Sequence, residues 1–76
     1  MEKLLGELRR NIDEIDQQIV DLLVKRRTEV GRIVALKKTH NLPVYHPARE
    51  EDLISQRRAQ GNKAGLDADF LEELFR

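Results

Sequence analysis

The sequence predicts an all-α protein, one long first helix plus two shorter helices. Three observations carry that expectation. Residues 3–40 contain no proline, and apolar residues recur there at steps of three and four. Pro43 and Pro47 then bracket a short connector, and a fresh apolar stripe opens after Asp67.

The first helix is expected from about Lys3 to His40. Leu8, Ile12, Ile15, Ile19, Leu22, Val30 and Ile33 form its stripe, weakened only by Gly6 and Gly31. A helix of about 38 residues spans roughly 57 Å. A globule of about 100 residues has a radius of gyration of only about 13 Å. The rest of the chain cannot cover such a rod, so either the helix breaks near Gly31 or a second chain covers it. The second is the expectation.

Asn41 to Pro47 reads as a connector. Pro43 bars helical continuation at Leu42, and Pro47 suits the first position of a new helix. That second helix runs from Ala48 to about Gln60, with Glu50, Glu51 and Asp52 in its first turn, where the macrodipole favours acids. Its apolar content is small: Leu53, Ile54 and Ala59. Gly61 to Gly65 is expected to break the helix. Asp67 then caps a third helix, Leu66 and Leu71 form a hydrophobic staple, and Phe70, Leu71, Leu74 and Phe75 form its stripe. The stripe is cut off at Arg76, which points to a domain excised from a longer helix.

Length and composition bound the function. The 76 residues form one small domain, 1–76. Chains below about 80 residues have thin cores and usually need a staple. Cysteine is absent and aromatic residues make up 4%, so the remaining staple is oligomerisation. Fourteen Lys and Arg balance 14 Asp and Glu, which argues against a nucleic-acid partner. No apolar run approaches the roughly 20 residues of a membrane span. The N-terminus lacks a secretory layout. A soluble, cytoplasmic protein with no membrane partner is expected.

The anomaly lies on the first helix. Its stripe, continued by threes and fours, reaches Arg26 and Lys37, and a parallel row places Arg9 and Asp16 beside the same face. Cations on a packed face are costly unless paired. One reading pairs each with the chain's own acids, such as Asp16 or Glu50, or lets it reach solvent. The other has them line a pocket for a small dianion, a task that suits arginine's planar fork. Arg26 and Lys37 lie about 16 Å apart at nearly one angle, close enough to hold a compact ligand between two long side chains. Arg9 lies about 25 Å from Arg26, so it reaches the same ligand only from another subunit. An antiparallel pairing of two long helices delivers it and also covers the rod. Arg49 and Glu50 are either ordinary first-turn charge or the lid of that pocket.

In this order and spacing the residues resemble the all-helical class of chorismate mutases along nearly the whole chain. The resemblance rests on Leu8-Arg9-Arg10-Asn11-Ile12-Asp13-Glu14-Ile15-Asp16 with Ile19, Leu22-Leu23 and Arg26. Lys37 follows, then Leu42-Pro43-Val44 and Pro47-Ala48-Arg49-Glu50. The connector, with Arg57-Arg58-Ala59, is most similar to the mutase half of bifunctional chorismate mutase/prephenate dehydrogenases. The resemblance implies an intertwined helical homodimer that rearranges chorismate to prephenate in aromatic amino acid biosynthesis. Each pocket is built from both chains, and the reaction uses no cofactor and no metal. It implies that Arg9 crosses to the partner's pocket and binds one carboxylate while Arg26 binds the other. It further implies that Lys37 donates to the ether oxygen, Glu50 accepts from the ring hydroxyl and Arg49 adds positive field.

Two departures accompany it. His46 stands where many family members carry aspartate, and histidine is the poorer helix cap. His46 is assigned neither acid nor metal chemistry, since the reaction needs neither and only His40 accompanies it. The family's third helix also continues further and supplies a serine and a glutamine or glutamate that this chain lacks. Two rivals stand beside the mutase: an isochorismate pyruvate lyase of the same fold, to which the Gly65–Phe75 tail is also similar, and a non-catalytic helical dimerisation or regulatory module. Leucine or isoleucine at positions 26 and 37 would suit the module better than the cations present.

Overall fold

Three α-helices make up the protein: α1 Glu2–Thr39, α2 Pro47–Ala64 and α3 Ala68–Phe75. The structure is a computed structural model that describes residues 1–76. The all-α expectation holds. The chain divides into two units, Met1–Leu42 and Pro43–Arg76.

In the first unit, α1 runs unbroken for 38 residues and passes through Gly31. Of the two alternatives raised by its length, the break is therefore the one removed. A helix-interior glycine costs only about 1 kcal/mol relative to alanine, too little to end a strongly periodic helix. The helix ends in a Schellman motif. Leu42 N donates to Lys37 O at 2.8 Å and Asn41 N to Lys38 O at 3.2 Å. Asn41 takes the left-handed conformation this closure needs, at φ 55. No residue of α1 is buried, and its stripe residues Leu8, Ile12, Ile15, Ile19, Leu22, Val30 and Ile33 are 43% to 61% exposed.

In the second unit, Pro47 opens α2 and His46 caps it, with the His46 imidazole Nδ1 accepting from Arg49 N at 3.0 Å. The expected break at Gly61 does not occur. The helix continues to Ala64 and closes at Gly65, whose φ of 77 is the left-handed geometry that glycine takes without strain. Leu66 N donates to Gly61 O at 2.8 Å and Gly65 N to Asn62 O at 3.3 Å, a second Schellman closure. Asp67 caps α3 as expected, accepting from Asp69 N at 2.9 Å.

The reason α2 passes through Gly61 is tertiary. Gly61 is buried, and a Cβ there would stand 3.0 Å from Leu71 Cγ. The missing side chain lets α3 approach α2 closely. Ile54, 7% exposed and two turns from Gly61 on the same face of α2, is the only buried hydrophobic residue. The expected α3 stripe splits. Leu71 and Phe75 are half-buried, while Phe70 and Leu74 remain 56% and 42% exposed. Charged contacts complete the packing. The Arg57 guanidinium lies 5.5 Å from the Phe75 ring centroid, a cation–π distance. Arg58 bonds Asp69 at 2.8 Å and Glu72 at 3.2 Å, and Arg76 bonds Glu72 at 2.6 Å.

Candidate active site

The residues singled out in the sequence fall on both units. Arg9, Arg26 and Lys37 all lie on α1. Because that helix is continuous, their helical spacing holds: about 16 Å separates Arg26 from Lys37 and about 25 Å separates Arg9 from Arg26. Arg9 and Arg26 are exposed, and Lys37 is half-buried. Lys37 occupies the last turn, where its own carbonyl accepts the Leu42 amide, so the backbone that carries its ammonium is held by the helix closure.

Arg49 and Glu50 are brought together in the first turn of α2. The amide of Arg49 is bound by the His46 ring, and the amide of Glu50 donates to His46 O at 3.1 Å. Histidine is a less favoured cap than aspartate, yet here it performs the same bond. The Arg49 guanidinium lies 3.8 Å from Asp52, an exposed contact at the outer limit of an ion pair.

Glu50 is half-buried and lines an open hollow of about 370 Å³ together with Tyr45, Ile54, Ser55, Arg58 and Arg76. Arg58 and Arg76 are the residues the sequence reading did not place at a site. The helical spacing Glu50, Ile54, Arg58 is visible in the sequence and puts the three on one face. Arg76, the C-cap of α3, leaves no such signal. Both guanidiniums are already engaged. The hydrogen bond from Arg76 to Glu72, with help from Arg58, holds the Glu72 carboxyl below the usual carboxylate range. Arg58 is raised, first by its hydrogen bond to Asp69, and Arg76 is raised by its bond to Glu72, with Glu50 adding attraction. Glu50 and its neighbour Glu51 are the carboxylates that line the hollow, flanked by cations whose charge is largely balanced by Asp69 and Glu72.

No group of three or more His, Asp or Glu side chains is placed to hold a metal ion. No helix is long and apolar enough to cross a membrane.

Comparison with known proteins agrees with the resemblance seen in the motifs. The family model described as chorismate mutase type II matches residues 8–76. The T-protein of Haemophilus influenzae is 38% identical over 72 residues, which cover 95% of this chain and 19% of that protein. The 4-amino-4-deoxychorismate mutase of Streptomyces venezuelae is 36% identical over 73 residues, covering 93% of this chain and 69% of that protein. The chorismate mutase of Methanocaldococcus jannaschii is 27% identical over 71 residues, covering 93% of this chain and 72% of that protein. This chain thus spans about a fifth of the T-protein's length but most of the two shorter mutases. No solved structure matches it significantly. From Leu8 to its last residue, then, the chain belongs to the chorismate mutase type II family.

Proposed function

We propose that the chain is a chorismate mutase, converting chorismate to prephenate as a cytoplasmic homodimer whose pockets are shared between chains. The observation that carries this reading is the family match over residues 8–76. The cations on α1 support it.

The rearrangement breaks one C–O bond while forming one C–C bond. It passes no proton and forms no covalent intermediate. The protein must fold the substrate's side chain over its ring, which is a positioning effect. It must also stabilise negative charge on the departing ether oxygen, where one preorganised donor can be worth roughly 3–4 kcal/mol. In this reading Arg9 and Arg26 bind the two carboxylates, Lys37 donates to the ether oxygen, Glu50 accepts from the ring hydroxyl and Arg49 contributes positive field. The exposed α1 stripe supports the dimer. Full burial of each such aliphatic side chain contributes about 1.5–3 kcal/mol, and seven of them stand along one helix.

A second reading exchanges the hydroxyl for an amine. The Streptomyces venezuelae relative favours it, and a carboxylate such as Glu50 accepts from either group.

Loss of chorismate absorbance, with products identified, tests the proposal. Prephenate formation is expected. Salicylate with pyruvate from isochorismate would assign the lyase instead, and preferential turnover of the 4-amino analogue would assign the second reading. No turnover of any of these by a folded dimer would leave the helical module.

A further inference from the structure

The hollow of the second unit offers acceptors from the start of α2 and donors from further along it. Glu50 and Glu51 line it, and neither carboxylate is in an ion pair. Glu50 feels attraction from Arg76 without pairing with it. Arg58 lines the same hollow eight residues after Glu50, a rise of about 12 Å. Between them the buried Ile54, with Pro47 and Tyr45, supplies an apolar wall on which a ring can rest.

The two guanidiniums of the hollow differ in what they have left to give. Arg76 spends Nε and Nη2 on Glu72 Oε2, at 3.1 and 2.6 Å. Arg58 spends only Nη1, on Asp69 Oδ1 at 2.8 Å and on Glu72 Oε1 at 3.2 Å. The Nε and Nη2 hydrogens of Arg58 make no bond within the protein. They form an edge of the planar fork, which takes a carboxylate by two parallel bonds. Asp69 and Glu72 thus balance the charge of Arg58 and hold its side chain, yet they leave this edge open. A side chain already held loses less freedom when a ligand arrives.

We propose that Arg58 is a further substrate-binding residue, taking the ring carboxylate on its open edge while Glu50 accepts from the hydroxyl across the same ring. The proposal rests on the mutase reading for its effect on turnover, but not for binding in the hollow. A six-membered ring with the two groups on opposite sides reaches from Glu50 toward Arg58. A ligand that carries only one of the two groups engages only one of the two residues.

The test uses Arg58→Lys, which keeps a charge for Asp69 and Glu72 but has no planar edge. Its melting temperature should stay near that of wild type. Its KM for chorismate should rise about tenfold with kcat within about threefold, the pattern of lost uniform binding. If fastening α3 were the only role of Arg58, the lysine variant would keep the wild-type KM, and that result overturns the proposal. Binding is measured separately by nuclear magnetic resonance with 4-hydroxybenzoate, which carries a hydroxyl and a carboxylate on opposite sides of a ring. Wild type should bind it about tenfold more tightly than benzoate or phenol, and Arg58→Lys should lose that advantage over phenol. Equal binding of the three probes by wild type, or an advantage over phenol that survives in Arg58→Lys, overturns the proposal. If wild type turns over no chorismate, the mutase reading falls and the binding measurement decides on Arg58 alone.

Discussion

Gly61 and Leu71 meet across the α2–α3 junction so closely that a methyl group fits only if Leu71 gives way: a Cβ on Gly61 would stand 3.0 Å from Leu71 Cγ. Filling that space makes the two positions energetically coupled. Gly61→Ala gains about 1 kcal/mol of helix propensity, while overpacking costs about 1–3 kcal/mol. The substitution is expected to lower stability in wild type and to raise it by about 1 kcal/mol in a Leu71→Ala background, where the obstruction is gone. Urea unfolding of the four proteins measures the coupling. Additive effects would show that the helices do not meet there.

The Glu72 carboxyl, held low by Arg76 and Arg58, makes the α3 docking acid-sensitive. A depressed carboxylate contributes stability that is present above its unfolded value and is lost as pH falls through its folded value. Thermal unfolding should therefore separate wild type from Glu72→Gln at neutral pH and merge the two below the usual carboxylate range. The raised guanidiniums of Arg58 and Arg76 contribute stability lost only at pH above their unfolded values, far into alkali, so they do not move this window. The separation should shrink with added salt, since the network is largely at the surface.

Lys37 is expected to act on turnover and not on folding. Lys37→Ala should lower kcat by about 10²–10³, the effect of removing one preorganised donor, with helical content unchanged. Because the Lys37 backbone is tied to Leu42 through its carbonyl, the substitution leaves the helix closure intact. Wild-type kcat in this variant would remove Lys37 from the mechanism.

A shared pocket predicts complementation. Arg9→Ala and Arg26→Ala should each be inactive alone. Mixed under conditions that exchange subunits, they should recover activity, because one pocket of each heterodimer has both arginines. Exchange shown by mass spectrometry without recovery would place Arg9 outside the partner's site.

Much of the chain was legible because its signals are local. The 3.6-residue period over α1, the two prolines around the connector and the Asp67 cap act over a few residues each. The all-α class, the start of each helix and the row of Arg9, Arg26 and Lys37 followed from them. The connector's histidine was read as a weak cap, and the ring makes the bond all the same. Its Nδ1 stands three residues from the amide it serves, within the reach of any capping side chain.

What the sequence by itself determined, then, is where helices form and which residue types share a face, since propensity and periodicity need no partner. Tertiary structure alone decided that α2 continues past Gly61, where the roughly 1 kcal/mol local penalty of glycine yields to a close helix contact. It decided that Leu71 and Phe75, not Phe70 and Leu74, are the half-buried pair of α3. It also paired Arg58 with Asp69 and Glu72, 11 and 14 residues away. Each of these depends on where a second helix lies, and a period of 3.6 residues carries no information about its neighbour.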